Sequence, residues 1–115
     1  MTEPTIWHNH RCSKSRQTLQ LLKDRGFEPV IVDYVNTAPT QAEISAALAL
    51  LGLDAIKLMR TGDKRFAEAG LSKTDTAETL IAAMATHPIL IERPVVIHNG
   101  KAALGRPPEA VLDIL

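Results

Sequence analysis

The chain has no second cysteine to pair with Cys12, its only thiol among 115 residues. No intrachain disulfide can form, and dithiol chemistry of the Cys-x-x-Cys kind is excluded because Ser15 holds the second position. Aromatic residues make up 3% of the sequence, too few for a base-stacking surface. Neither sign of charge predominates: thirteen basic residues face thirteen acidic ones, which argues against a general grip on nucleic acid or anionic lipid. No apolar run approaches the roughly 20 residues of a membrane-spanning helix. The opening Met-Thr-Glu-Pro has neither a basic region nor an apolar signal core. A lone thiol without an export signal points to the reducing cytosol. Gly-rich phosphate loops are missing, and Cys-x5-Arg is missing because Thr18 stands six residues after Cys12. What is present is an average globular composition, 45% apolar and 23% charged, in a length that suits one domain.

Thr5–His8 reads as a short strand running into Asn9-His-Arg-Cys-Ser13 and then a helix to about Arg25. Cys12, Ser15, Leu19 and Leu22 share one face of it, and Gly26 is the stop. Pro29–Tyr34 is apolar on both faces, which predicts an internal strand parallel to the first. Thr40 and Glu43 have the spacing of a capping box before apolar Ile44, Ala47, Leu48 and Leu51. Asp54–Arg60 and Asp63–Ala69 read as short helices, and Asp75 with Glu78 as a further capping box opening a helix that stops before Pro88. Asn99-Gly100 between Pro94–His98 and Lys101–Leu104 is a strong hairpin signal. Pro107-Pro108-Glu109 starts a last helix that should bury Val111, Ile114 and Leu115. The order predicts an α/β chain: a single thioredoxin-like domain over 1–115, with a helical insertion at about 40–86 between βαβ and ββα halves.

Cys12 is expected where a strand hands over to a helix. Unpaired N–H groups and the positive dipole end there favour a thiolate, and His8, Arg11, Lys14 and Arg16 add positive potential. Cysteines outside disulfides are often inert buried filler, but a loop crowded with basic and polar residues is a poor place for one. His8, His10 and Cys12 alternate and would share one face of a strand. With the strand ended by Asn9 and no fourth ligand at motif spacing, no metal site is expected.

Four motifs, in order, carry a family resemblance: His8-Asn9-x-x-Cys12-x-x-Ser15-Arg16, Leu58-Met-Arg60, His87-Pro-Ile-Leu-Ile-Glu-Arg-Pro94 and Gly105-Arg-Pro-x-Glu-x-Val-Leu-Asp-Ile-Leu115. Together they closely resemble the glutaredoxin-coupled arsenate reductases over essentially the whole chain. The resemblance implies Cys12 as nucleophile, His8 tuning its thiolate, and Arg60, Arg93 and Arg106 holding the oxyanion. Asn9, Ser15, Arg16 and Pro94 would support the site, with Arg93-Pro94 as a cis peptide. It implies glutathione as co-substrate, glutaredoxin as partner, and no bound cofactor, metal or nucleic acid. Guanidinium forks suit a doubly charged tetrahedral oxyanion, so the implied residues fit the implied substrate. Two alternatives stand beside this one: a glutathione-dependent thiol oxidoreductase acting on another substrate, and an Spx-like regulator that binds a protein partner. Spx-type chains resemble this one around Arg60 and Arg93, but typically carry Cys-x-x-Cys and lack the Gly-Arg-Pro segment. Ser15 and Arg106 therefore favour an enzyme.

Overall fold

A computed structural model of the chain describes residues 3–92 and 94–115. Two compact units emerge: Met1–Thr37 with Arg93–Leu115, and Ala38–Glu92.

The first unit is built on a four-stranded sheet. Its strands are β1 (Thr5–Trp7), β2 (Val30–Val32), β3 (Val95–His98) and β4 (Lys101–Leu104), in the order β2-β1-β3-β4. β1 runs parallel to β2 and antiparallel to β3, with Ile6 opposite both Ile31 and Val96. β3 and β4 form the expected hairpin, Val95 opposite Leu104. Its tight turn places Asn99 at φ 50° and Gly100 at φ 74°, a left-handed pair that Asn and Gly tolerate best. Helix α1 (Ser13–Asp24) follows β1, and the chain ends in a 3-10 helix over Pro108–Ile114. Ile6, Leu22, Val96 and Val111 are fully buried in one cluster; Leu19, Ile114 and Leu115 pack against it while remaining partly exposed.

Two expectations about this unit are corrected. The last helix is 3-10 rather than α; it begins at Pro108, the second of two consecutive prolines, with Pro107 as its N-cap. The strand near Pro29–Tyr34 is also not internal. It shrinks to three residues at the sheet edge, with Val30 and Ile31 about half exposed, at 55% and 49%. A continuous apolar run records preference for extended backbone; strand order decides which strand is covered. Pro29, which lacks an N–H, fits the start of an edge strand.

The second unit is helical: α2 (Gln41–Leu51), a 3-10 turn at Ala55–Leu58, α3 (Lys64–Glu68), α4 (Ala77–Thr86) and a 3-10 turn at Pro88–Leu90. The Thr40–Glu43 capping box forms as expected. Glu43 N–H donates to Thr40 Oγ1 at 3.1 Å and Thr40 N–H donates to Glu43 Oε1 at 2.9 Å. α2 packs on α4, with Ile44, Ala47 and Leu48 buried on one and Leu80 and Met84 on the other. The Asp75–Glu78 box does not form. Thr76, one residue on, caps α4 by accepting from Thr79 N–H, while the Asp75 carboxylate turns back to accept from Ser72 N–H at 2.8 Å. Either residue type can cap, and closure of the preceding loop by Asp75 settles the register. Among the described residues, no helix is long and apolar enough to cross a membrane.

Candidate active site

β1 ends at Trp7, and five residues later Cys12 stands as the N-cap of α1 in extended conformation (φ −96°, ψ 123°). Its own N–H donates to the Asn9 carbonyl at 3.0 Å, and its carbonyl accepts from Arg16 N–H at 3.0 Å, the first bond of the helix. Its side chain makes no capping bond, and the residue is partly exposed. The sulfur is therefore carried at the positive end of a twelve-residue helix.

The loop that carries Cys12 is tied at several points. Asn9 Oδ1 accepts from Arg11 N–H at 3.0 Å, and Arg16 Nη1 donates to the His10 carbonyl at 2.8 Å. Ser15 Oγ accepts from Asn9 N–H at 3.0 Å and lies 2.6 Å from His8 Nδ1. Ser15 is fully buried, and His8 and Asn9 are buried too, so these bonds are shielded from water. Burial holds the His8 imidazole below its ordinary pKa of 6.5; electrostatic interaction with His10, Arg16 and Lys23 adds to this, and Asp33 opposes it. Because the strand stops at Trp7, His8 turns inward while His10 stays exposed, so the alternation read from the sequence does not persist as a shared face.

Gly105 sets the position of Arg106. Gly105 N–H donates to the Pro94 carbonyl at 2.9 Å. A Cβ at Gly105 would fall 2.7 Å from Pro94 Cγ and would also strike Thr18 Oγ1. The chain thus leaves β4 pressed against α1 at Thr18 and presents Arg106 as an exposed side chain immediately beyond. The cis peptide among the described residues is Arg106–Pro107. Arg93, and with it the expected Arg93–Pro94 cis bond, lies outside the described residues.

Arg60 belongs to the helical unit. Its backbone is fixed by pairing with the segment before Arg93: Arg60 N–H donates to the Leu90 carbonyl at 2.8 Å, and Glu92 N–H to the Leu58 carbonyl at 2.6 Å. The side chain is 34% exposed, with Nη1 3.8 Å from Asp63 Oδ2. Asp63 caps α3 by accepting from Arg65 N–H. That bond, more than the Arg65 and Arg60 charges, holds its carboxyl below the ordinary range, partly offset by burial. Met59, Arg60, Thr61, Gly62, Asp63 and Glu92 line a polar recess of about 530 Å³ in this unit.

The structure therefore joins His8, Asn9, Cys12, Ser15 and Arg16 in one bonded group, and seats Gly105, the residue before Arg106, against the same helix and against Pro94. Sequence reading missed Thr18 and Gly105 as the spacers of that seating, and Asp63 as the companion of Arg60. Gly105 was visible only as part of a motif; Asp63 could have been found from its i+3 spacing to Arg60. Among the described residues, no three His, Cys, Asp or Glu side chains gather in a metal-binding group.

A family model described as "ArsC family" matches residues 7–114. An Escherichia coli protein described as "Uncharacterized protein YfgD" is 46% identical over 112 residues, covering 96% of this chain and 94% of its own. A Haemophilus influenzae protein named arsenate reductase is 42% identical over 112 residues, covering 96% and 97%. The solved structure of an arsenate reductase from Vibrio cholerae superposes with a TM-score of 0.95 at 43% identity, covering 98% of each chain.

Proposed function

The chain belongs to the ArsC family, and from that premise we propose that it reduces arsenate to arsenite through one catalytic thiol, Cys12. The observation that carries this reading is the placement of Cys12 at the N-cap of α1, in a loop tied by Asn9, Ser15 and Arg16. The names of the relatives supply the substrate. Helix N–H groups at that cap, with the Arg60, Arg93 and Arg106 guanidiniums, would offset the charge of the bound oxyanion. The same charges would favour the thiolate before substrate enters.

The reaction balances with glutathione alone as electron source. Cys12 thiolate attacks arsenic(V); an oxygen of arsenate takes up protons and leaves as water, giving a Cys12 S–As bond. Glutathione thiolate attacks the Cys12 sulfur, the S–As bond breaks, and its electron pair stays with arsenic. Arsenite, now arsenic(III), departs, and a Cys12–glutathione disulfide remains. Glutaredoxin removes that glutathione by thiol–disulfide exchange, because the chain has no second thiol to do so. The setting is the cytosol, where glutathione is kept reduced.

The test is arsenite production from arsenate with glutathione and glutaredoxin, run on wild type, Cys12→Ser and Arg106→Ala. Wild type should turn over, Cys12→Ser should not, and Arg106→Ala should be strongly impaired. Turnover by Cys12→Ser would refute the reading. A wild type that exchanges mixed disulfides but leaves arsenate intact would instead identify a thiol oxidoreductase for another substrate.

A further inference from the structure

We propose that Ser15 is a positioning residue that keeps His8 neutral in a single tautomer, with the proton on Nε2 and with Nδ1 accepting from the Ser15 hydroxyl. Ser15 is fully buried, and among the described residues its hydroxyl oxygen has two hydrogen-bond partners, Asn9 N–H at 3.0 Å and His8 Nδ1 at 2.6 Å. A backbone N–H can only donate, so Asn9 occupies an acceptor site of the hydroxyl. Of these two partners only His8 Nδ1 can take the hydroxyl proton, and it must be unprotonated to accept it.

The other tautomer reverses this bond. Nδ1–H would donate to Ser15 Oγ, which would then take two donors and leave its own proton without an acceptor in a buried site. An unmade bond of that kind is unfavourable. The imidazolium carries a proton on Nδ1 as well, so it meets the same obstacle. The charged groups around His8 lean the same way on balance: His10 in its own loop, and Arg16 and Lys23 on α1, oppose a further positive charge, while Asp33 after β2 favours one. Burial of the ring acts in the same direction as His10, Arg16 and Lys23.

A consequence follows for the proposed thiol chemistry. His8, four residues before Cys12 in the same bonded loop, would then be a neutral group and not a fixed positive charge, and the helix terminus and the proposed arginines would supply the positive potential at the thiol. That consequence rests on the reading of Cys12 as nucleophile, whereas the tautomer itself does not, and the experiment addresses the tautomer.

Full-length protein with 15N-labelled histidine is examined by long-range 1H–15N spectroscopy from pH 7.5 to 5.5. His8 should show the protonated-Nε2, unprotonated-Nδ1 pattern at pH 7 and keep it at pH values where an exposed histidine has become imidazolium. In Ser15→Ala that single pattern should give way to a tautomer mixture, and His8 should protonate at higher pH. A wild-type His8 with its proton on Nδ1, or charged at pH 7, overturns the proposal, as does an unchanged pattern in Ser15→Ala. Should Ser15→Ala not fold, wild type at pH 5.5 decides: neutral His8 with Nε2–H supports the proposal, and imidazolium overturns it. None of these spectra requires arsenate, so an inactive protein with the expected His8 pattern would sink the proposed function and leave this inference standing.

Discussion

Replacing Gly105 by alanine tests the seating of the Arg106 segment with a magnitude that can be worked from the structure. The new methyl carbon would lie 2.7 Å from Pro94 Cγ and against Thr18 Oγ1, closer than real Cβ contacts allow. Neither neighbour is a flexible side-chain end. Pro94 is buried and ring-locked; Thr18 is fully buried and donates its hydroxyl proton to the Lys14 carbonyl at 2.8 Å. Overpacking of this kind costs about 1–3 kcal/mol. Loss of glycine's freedom in the unfolded chain returns about 0.4–1 kcal/mol, leaving a net destabilisation of roughly 0–2.6 kcal/mol. For 115 residues the unfolding entropy is on the order of 240 cal/mol/K, so Tm should fall by up to roughly 11 °C. Gly62→Ala is the control: a Cβ there meets nothing within 4 Å, so only the unfolded-chain gain of about 0.4–1 kcal/mol remains and Tm should rise by roughly 2–4 °C. The assay is thermal unfolding followed by circular dichroism. Equal Tm values for Gly105→Ala and Gly62→Ala would refute the claim that this glycine is required by close approach.

Thr40→Ala removes the hydroxyl half of the capping box and should destabilise the helical unit by about 0.5–2 kcal/mol, read from denaturant midpoints; Thr40→Ser should restore most of it. Because the folded state holds the His8 pKa below 6.5, the unfolded chain binds the proton first as pH falls. Stability should therefore decline from about pH 6.5 down to the folded value, and the Tm difference between pH 7 and 5 should be smaller in His8→Gln. An equal difference in the two proteins would contradict the burial argument. Iodoacetamide should modify Cys12 at pH 6 to 7 faster than it modifies an ordinary thiol. Sulfate or arsenite should slow the reaction more than chloride at equal ionic strength, and Arg106→Ala should weaken that protection. Indifference of the rate to oxyanions would remove the anion pocket.

What could be read from the sequence were features whose physics is local. Thr40 and Glu43 bond within one turn, and Asn99-Gly100 closes its own hairpin, so spacing alone locates both. Cys12 at a strand-to-helix junction was legible for the same reason: β1 and α1 are adjacent in the chain. Choices between near-equal local options were not legible. Asp75 and Thr76 both suit a cap, and the loop bond to Ser72 takes Asp75 away. Burial of β2 depended on strand order, which three apolar residues cannot encode. Within the candidate site, motif resemblance identified Ser15 and Gly105 but not what they do. The Ser15 bond to His8 spans seven residues and the Gly105 contact with Thr18 spans most of the chain, and both exist only once the sheet and α1 have packed.

The central claim, that one thiol carries the reduction and is resolved from outside, is tested most directly by the mass of the intact protein during turnover without glutaredoxin. With arsenate and glutathione together, wild type should accumulate one glutathione per chain, mapped to Cys12, with about one arsenite released for each adduct. Glutaredoxin should then remove the adduct and restart turnover. The same incubation without arsenate should give little adduct, and Cys12→Ser should give none. Sustained arsenite production by wild type with Cys12 never glutathionylated, or an adduct that forms equally fast without arsenate, would contradict the account.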